Sequence, residues 1–97
     1  MTVIDINGVV LKEYRDANFY IANGTNGKTY GFKMSKKTGS TELKQLATDA
    51  EEFNIRMIDN DNMDVIAELL DAELVNYNFD DTDEEINLKG TNLTIYK

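Results

Sequence analysis

Between Ser40 and Asn54 apolar residues recur with the period of a helix. Leu43, Leu46, Ala47, Ala50 and Phe53 stand at i, i+3, i+4, i+7 and i+10, one stripe of a 3.6-residue repeat. Lys44, Gln45, Thr48, Asp49, Glu51 and Glu52 fill the opposite face. Ser40 is placed to cap the first turn, and Glu42 lies where the helix dipole favours an anion. A stripe of this width must be covered, so the remaining segments have to supply a surface that closes over it.

The chain has 97 residues, the length of one domain with one core. Apolar residues make up 41% of it, enough for a modest interior. It contains no cysteine, which removes disulfides, thiolate nucleophiles and zinc–cysteine sites. It contains no histidine either, so the commonest general base and transition-metal ligand are missing. No apolar run approaches the roughly 20 residues of a membrane helix, and no N-terminal signal pattern is present. A cytoplasmic location without membrane contact is therefore expected. Asn23-Gly-Thr25 and Asn92-Leu-Thr94 match the glycosylation pattern but read as turn chemistry.

The net charge of −8 is unevenly distributed. Residues 1–44 carry seven Lys/Arg and four Asp/Glu, whereas residues 45–97 carry three and fourteen. Simple self-repulsion for solubility accounts for this balance. A second account is two faces of opposite sign, one of which meets a charged partner.

Thr2–Ile6 and Val9–Tyr14 read as strands joined by Asn7-Gly8, a strong signal for a two-residue hairpin turn. Phe19–Ala22 is a third short strand, followed by the turn-prone loop Asn23–Gly27. Thr29–Met34 alternates, with Tyr30, Phe32 and Met34 on one face. Ser35–Gly39 reads as a basic turn into the helix. Ile55–Ile58 is short and β-prone. Asp59–Asn62 can cap a second helix, on which Met63, Ile66, Ala67, Leu70 and Leu74 share a face. Val75, Tyr77 and Phe79 alternate as a strand. The chain ends on an expected hairpin, Ile86 and Leu88 against Leu93 and Ile95, turning through Lys89–Asn92. The fold expected is α+β: an antiparallel sheet of about five to seven strands, with two helices (about 40–54 and 62–71) packed on one face.

Three strings suggest chemistry. Ala22–Thr29 matches a loose phosphate-loop pattern ending in Gly27-Lys28-Thr29. That loop must open a helix, and the alternation of 29–34 makes it a hairpin instead. Asp59, Asp61 and Asp64 begin like a calcium loop, but Asp64 and Leu70 stand where glycine and glutamate are needed. Lys28, Lys33, Lys36 and Lys37 interleave with Phe19, Tyr20, Tyr30 and Phe32, as on sheets that stack bases. Core packing explains those aromatics, and a −8 chain is repelled by phosphate. Ser35 and Ser40 lack a histidine to activate them. No catalytic residue, cofactor or metal site is assigned.

The carboxylates remain. Asp80, Asp81, Asp83, Glu84 and Glu85 crowd one six-residue run. Asp49, Glu51, Glu52, Glu68 and Asp71 extend the field if the two helices lie side by side. Spread over a surface, such charges imitate the closely spaced phosphates of nucleic acid. The expected function is a non-enzymatic acidic protein that binds and inhibits or occludes a protein partner with a basic surface, without direct nucleic-acid contact. The Asn/Asp/Lys/Ile-rich composition is similar to that of proteins from AT-rich bacteria and their phages, where such inhibitors are common. The alternative is a structural or assembly module joined through strand edges or apolar contacts. Salt separates the two, because it screens only the first.

Overall fold

The computed structural model describes residues 2–11, 13–24, 27–37 and 41–96, with the backbone alone at 22–24, 27–28 and 41–42. Eight strands and one helix follow in the order β1 (Thr2–Ile6), β2 (Val9–Leu11), β3 (Tyr14–Gly24), β4 (Gly27–Lys37), α1 (Thr41–Asp49), β5 (Phe53–Asp59), β6 (Val65–Phe79), β7 (Asp83–Gly90) and β8 (Asn92–Ile95). All pairings are antiparallel. The sheet order is β2-β1-β5-β6-β7-β4-β3, and β8 also pairs with β6. The architecture expected from the sequence, two helices packed on one face of the sheet, is therefore wrong.

The helix expected over 62–71 is the first half of β6 instead. Irregular ladder positions explain the misleading period. The register slips between Phe53/Ile55 on the β5 side and between Leu74/Asn76 on the β7 side. Each slip adds a residue to β6, so its core-side row runs Ala67, Leu69, Ala72, Leu74, Tyr77 and Phe79, buried at the first three and exposed at Leu74 and Phe79. Steps of two and three alternate there and blur a strict period of two. Asp71 takes a positive φ of 55° at the first irregularity, and its N–H donates to Asn54 Oδ1 at 3.1 Å. The helix-forming run Ala67–Leu74 is overruled by ladders on both sides of it.

The terminal hairpin is also corrected. β7 and β8 do not pair with each other; they succeed one another along β6, from Phe79↔Glu84 to Ala67↔Ile95. Gly90 stands at their junction on one continuous register, from Glu73↔Lys89 to Leu70↔Asn92. A Cβ there would lie 3.3 Å from Ala72 Cα and Leu69 Cδ1, so a side chain would press the two strands apart.

At the N-terminus Asn7-Gly8 forms its turn, with φ of 54° and 85°. Asn7 also ties the turn to β5: its N–H donates to Asn54 O at 3.0 Å, and Asn54 N–H donates to Asn7 Oδ1 at 2.8 Å. β4 continues through Lys37, beyond the basic turn expected at Ser35. Tyr30, Phe32 and Met34 share a face as expected, and Phe32 and Met34 are fully buried. Gly31 is roofed by Tyr20, whose ring occupies the space a Cβ would need. This is an aromatic cover over a weak strand position.

α1 covers only 41–49; Ser40 lies outside the described residues. Its stripe faces the core as expected, with Leu43 fully enclosed and Leu46, Ala47 and Ala50 half-buried against it. Phe53 is buried too, but from β5, because the chain leaves the helix after Ala50. One core joins both wings of the sheet: Ile4, Ile6, Leu11, Ile55 and Leu69 from one, Phe32, Met34, Ile86 and Leu88 from the other.

Candidate interaction surfaces

The acidic run 80–85 is split by the fold. Asp80 sits in the β6–β7 turn, where its Oδ1 accepts hydrogen bonds from Thr82 N, Thr82 Oγ1 and Asp83 N at 2.8–2.9 Å. The bonds from Thr82 hold its carboxyl below the usual aspartate range. Asp81 is exposed beside it. Asp83, Glu84 and Glu85 belong to β7 and face Lys37, Lys36 and Ser35 of β4. Arg15 forms an ion pair with Asp83. Lys33 lies 3.5 Å from Glu85, which also accepts from Asn87 Nδ2 at 3.0 Å.

Glu84 is not on the surface at all. It is 3% exposed, directly across from Lys36 at 7%. Tyr77 Oη donates to Glu84 Oε2 at 3.3 Å, while Oε1 has no hydrogen-bond partner. Burial pushes the Glu84 carboxyl above the usual glutamate range, against the Tyr77 bond and the Lys36 charge, which pull it down. Burial and the neighbouring carboxylate also raise the Tyr77 hydroxyl. Period two could have revealed this pair: Lys36 continues the row Phe32, Met34, and Glu84 begins the row Ile86, Leu88. Neutralising the whole run would therefore act on the fold as well as on the charge, because Asp80 organises the turn and Glu84 is interior.

The other expected partner-binding carboxylates are dispersed. Glu68 lies on β6, 3.4 Å from Arg56, and accepts from Tyr96 Oη at 2.6 Å. That bond raises the Tyr96 hydroxyl. Asp71 is exposed at the β6 irregularity. Asp49 ends α1, and Glu51 and Glu52 are exposed in the link to β5. With a single helix among the described residues, the expected pair of acidic helix faces is not found among them. Nor do the basic and acidic parts of the chain form two separate faces, because β4 and β7 interleave them. Asp59–Asp64 is a strand connection, in which Asp59 Oδ1 and Asn62 Oδ1 accept from backbone N–H groups. Among the described residues no group of three or more carboxylates is placed to hold a metal ion. No helix among them is long and apolar enough to cross a membrane.

Exposed backbone edges form a second kind of surface. β3 is the last strand on its side of the sheet; among the described residues only β4 pairs with it. Its ladder slips between Arg15 and Asn18, where Asp16 has a positive φ of 53°, and is regular from Asn18 to Gly24. Ile21 is 65% exposed on this stretch. Ala17–Gly27 is the longest stretch without a charged residue in a chain that is 29% charged. Composition could have flagged this run, but only the sheet order makes it an edge. β6 has a second unpaired edge over 73–79 among the described residues, carrying exposed Leu74, Val75 and Phe79.

No protein-family model matches the chain, and no curated protein matches it in sequence.

Proposed function

We propose that this chain is a non-enzymatic assembly module that joins protein to protein by strand addition at the edge of its sheet. The observation that carries the reading is the regular, uncharged edge Asn18–Gly24 of β3. An edge strand offers a row of backbone donors and acceptors, and monomeric proteins ordinarily guard such rows with lysine, proline, bulges or covering loops. Here the irregularity stops at Asn18 and leaves seven residues that no second strand covers among the described residues. Main-chain hydrogen bonds supply the attraction, and exposed Ile21 adds apolar contact.

A charge-led contact with a basic partner is the second reading. It is favoured by Asp49, Glu51, Glu52, Asp71 and Asp81, which form no ion pair among the described residues. It is weakened by the cations that face Asp83, Glu84, Glu85 and Glu68, which thin out any field imitating nucleic acid.

Sedimentation velocity over a concentration series at low and high ionic strength separates the readings. Strand addition predicts association that survives or strengthens at high salt, where repulsion between −8 chains is screened. A chain that stays monomeric throughout, yet binds polylysine only at low salt, would transfer the weight to the charge-led reading.

A further inference from the structure

Resting on the strand-addition reading, we infer that the occupant of the β3 edge is a second copy of this chain, paired antiparallel about Ile21. The two ends of the free ladder set the register. The irregularity at Arg15–Asn18 ends it on one side, and the last paired residue of β3, Gly24, ends it on the other. The arrangement that uses all seven residues places Asn18 opposite Gly24 of the other copy and Ile21 opposite its own equivalent. The twofold axis stands perpendicular to the sheet, so Ile21, Phe19 and the core-facing row of both copies lie on the same side.

Electrostatics favour this edge over the others. Two chains of charge −8 repel at long range, so the contact has to be one where no carboxylate meets a carboxylate. In the Ile21 register the nearest charges on the strand, Arg15 and Asp16, fall beyond the end of the partner ladder. The β6 edge fails the same test. Antiparallel self-pairing of 73–79 would bring Asp71 opposite Asp81 of the other copy and Glu73 within one position of its Asp80, and the ladder slip at Leu74/Asn76 interrupts its strand. β2 and β8 have only three and four residues. A seven-residue ladder is small beside a standard interface, so the dimer forms at high concentration and dissociates on dilution.

The absence of native cysteine makes the test direct. Ile21→Cys places one thiol at the twofold axis; Ile95→Cys places one at a comparably exposed strand site, 67% against 65%. Under mild oxidation Ile21→Cys should form a disulfide-linked dimer at least about tenfold faster than Ile95→Cys, because thiols held across the axis meet at millimolar effective concentration. Equal rates would overturn the register. Ile21→Lys, a charge at an exposed position, should leave the thermal midpoint unchanged and make the chain monomeric by sedimentation. If Ile21→Lys still associates, the assembly uses another edge and the β3 dimer is wrong, while strand addition stands. If the parent chain is monomeric at every concentration and salt, both fail together.

Discussion

Glu84 and Lys36 put opposite charges inside the protein, at the end of the rows that otherwise hold Phe32, Met34, Ile86 and Leu88. Desolvating both charges offsets most of what their attraction contributes, so such a pair adds little net stability but is costly to break. Glu84→Leu alone should therefore destabilise by about 3 kcal/mol, since it takes the opposing carboxylate away from the buried Lys36 ammonium. The double variant Lys36→Met/Glu84→Leu should recover most of that loss, and urea unfolding of the three variants measures the coupling. A double variant as unstable as Glu84→Leu would show that shape, not charge, holds this end of the core.

At the scale of elements, α1 and β6 differ in what sets them. α1 is short and held by its stripe, and the side chain that matters most is the one that is fully enclosed. Leu43→Ala should cost about 2–5 kcal/mol. Leu46→Ala, which the period alone ranks equally, should cost less because Leu46 is half-buried beside an open concavity with Val9 and Ala50. Equal denaturation midpoints would contradict that order. β6 depends on its irregularities. Asp71→Gly should stay within about 0.5 kcal/mol of the parent. Asp71→Val should cost about 1–2 kcal/mol, because a β-branched residue resists the positive φ. Thermal midpoints of the two variants distinguish this backbone effect from loss of a charge common to both.

For the whole molecule, the carboxylates act on stability with opposite signs. Glu84 has its folded pKa raised, so folding disfavours its charged form, and the molecule gains stability as pH falls through that value toward the unfolded one. Asp80 has its folded pKa lowered, so its contribution is present above the unfolded value and is lost as pH falls through the folded one. The Glu84 gain comes first on acidification from neutrality. The parent should therefore gain stability relative to Glu84→Gln between neutral pH and the ordinary glutamate range, as measured by urea unfolding at successive pH values. A constant difference between the two proteins would remove Glu84 as the source.

Local chemistry settled the features that depend on neighbours in the chain. Asn7-Gly8 makes its hairpin because both residues tolerate positive φ. Phe32 and Met34 point inward because alternation alone assigns them a face, and Leu43 is buried because its helical stripe has only one side. Tertiary structure decided what depends on partners far away in sequence. Ala67–Leu74 has helix-forming residues at nearly helical spacing, yet β5, β7 and β8 claim its backbone groups for ladders. Gly90-Thr91 has the letters of a turn, yet β6 runs past both flanks and keeps the chain straight enough to continue. Asp83, Glu84 and Glu85 look like a solvated run, yet the sheet order gives one an arginine from β3, buries another and puts the third beside a lysine of β4. The free edge of β3 follows the same logic. Its uncharged residues can be read from the chain, but whether another strand covers them is fixed only when the whole sheet has been ordered.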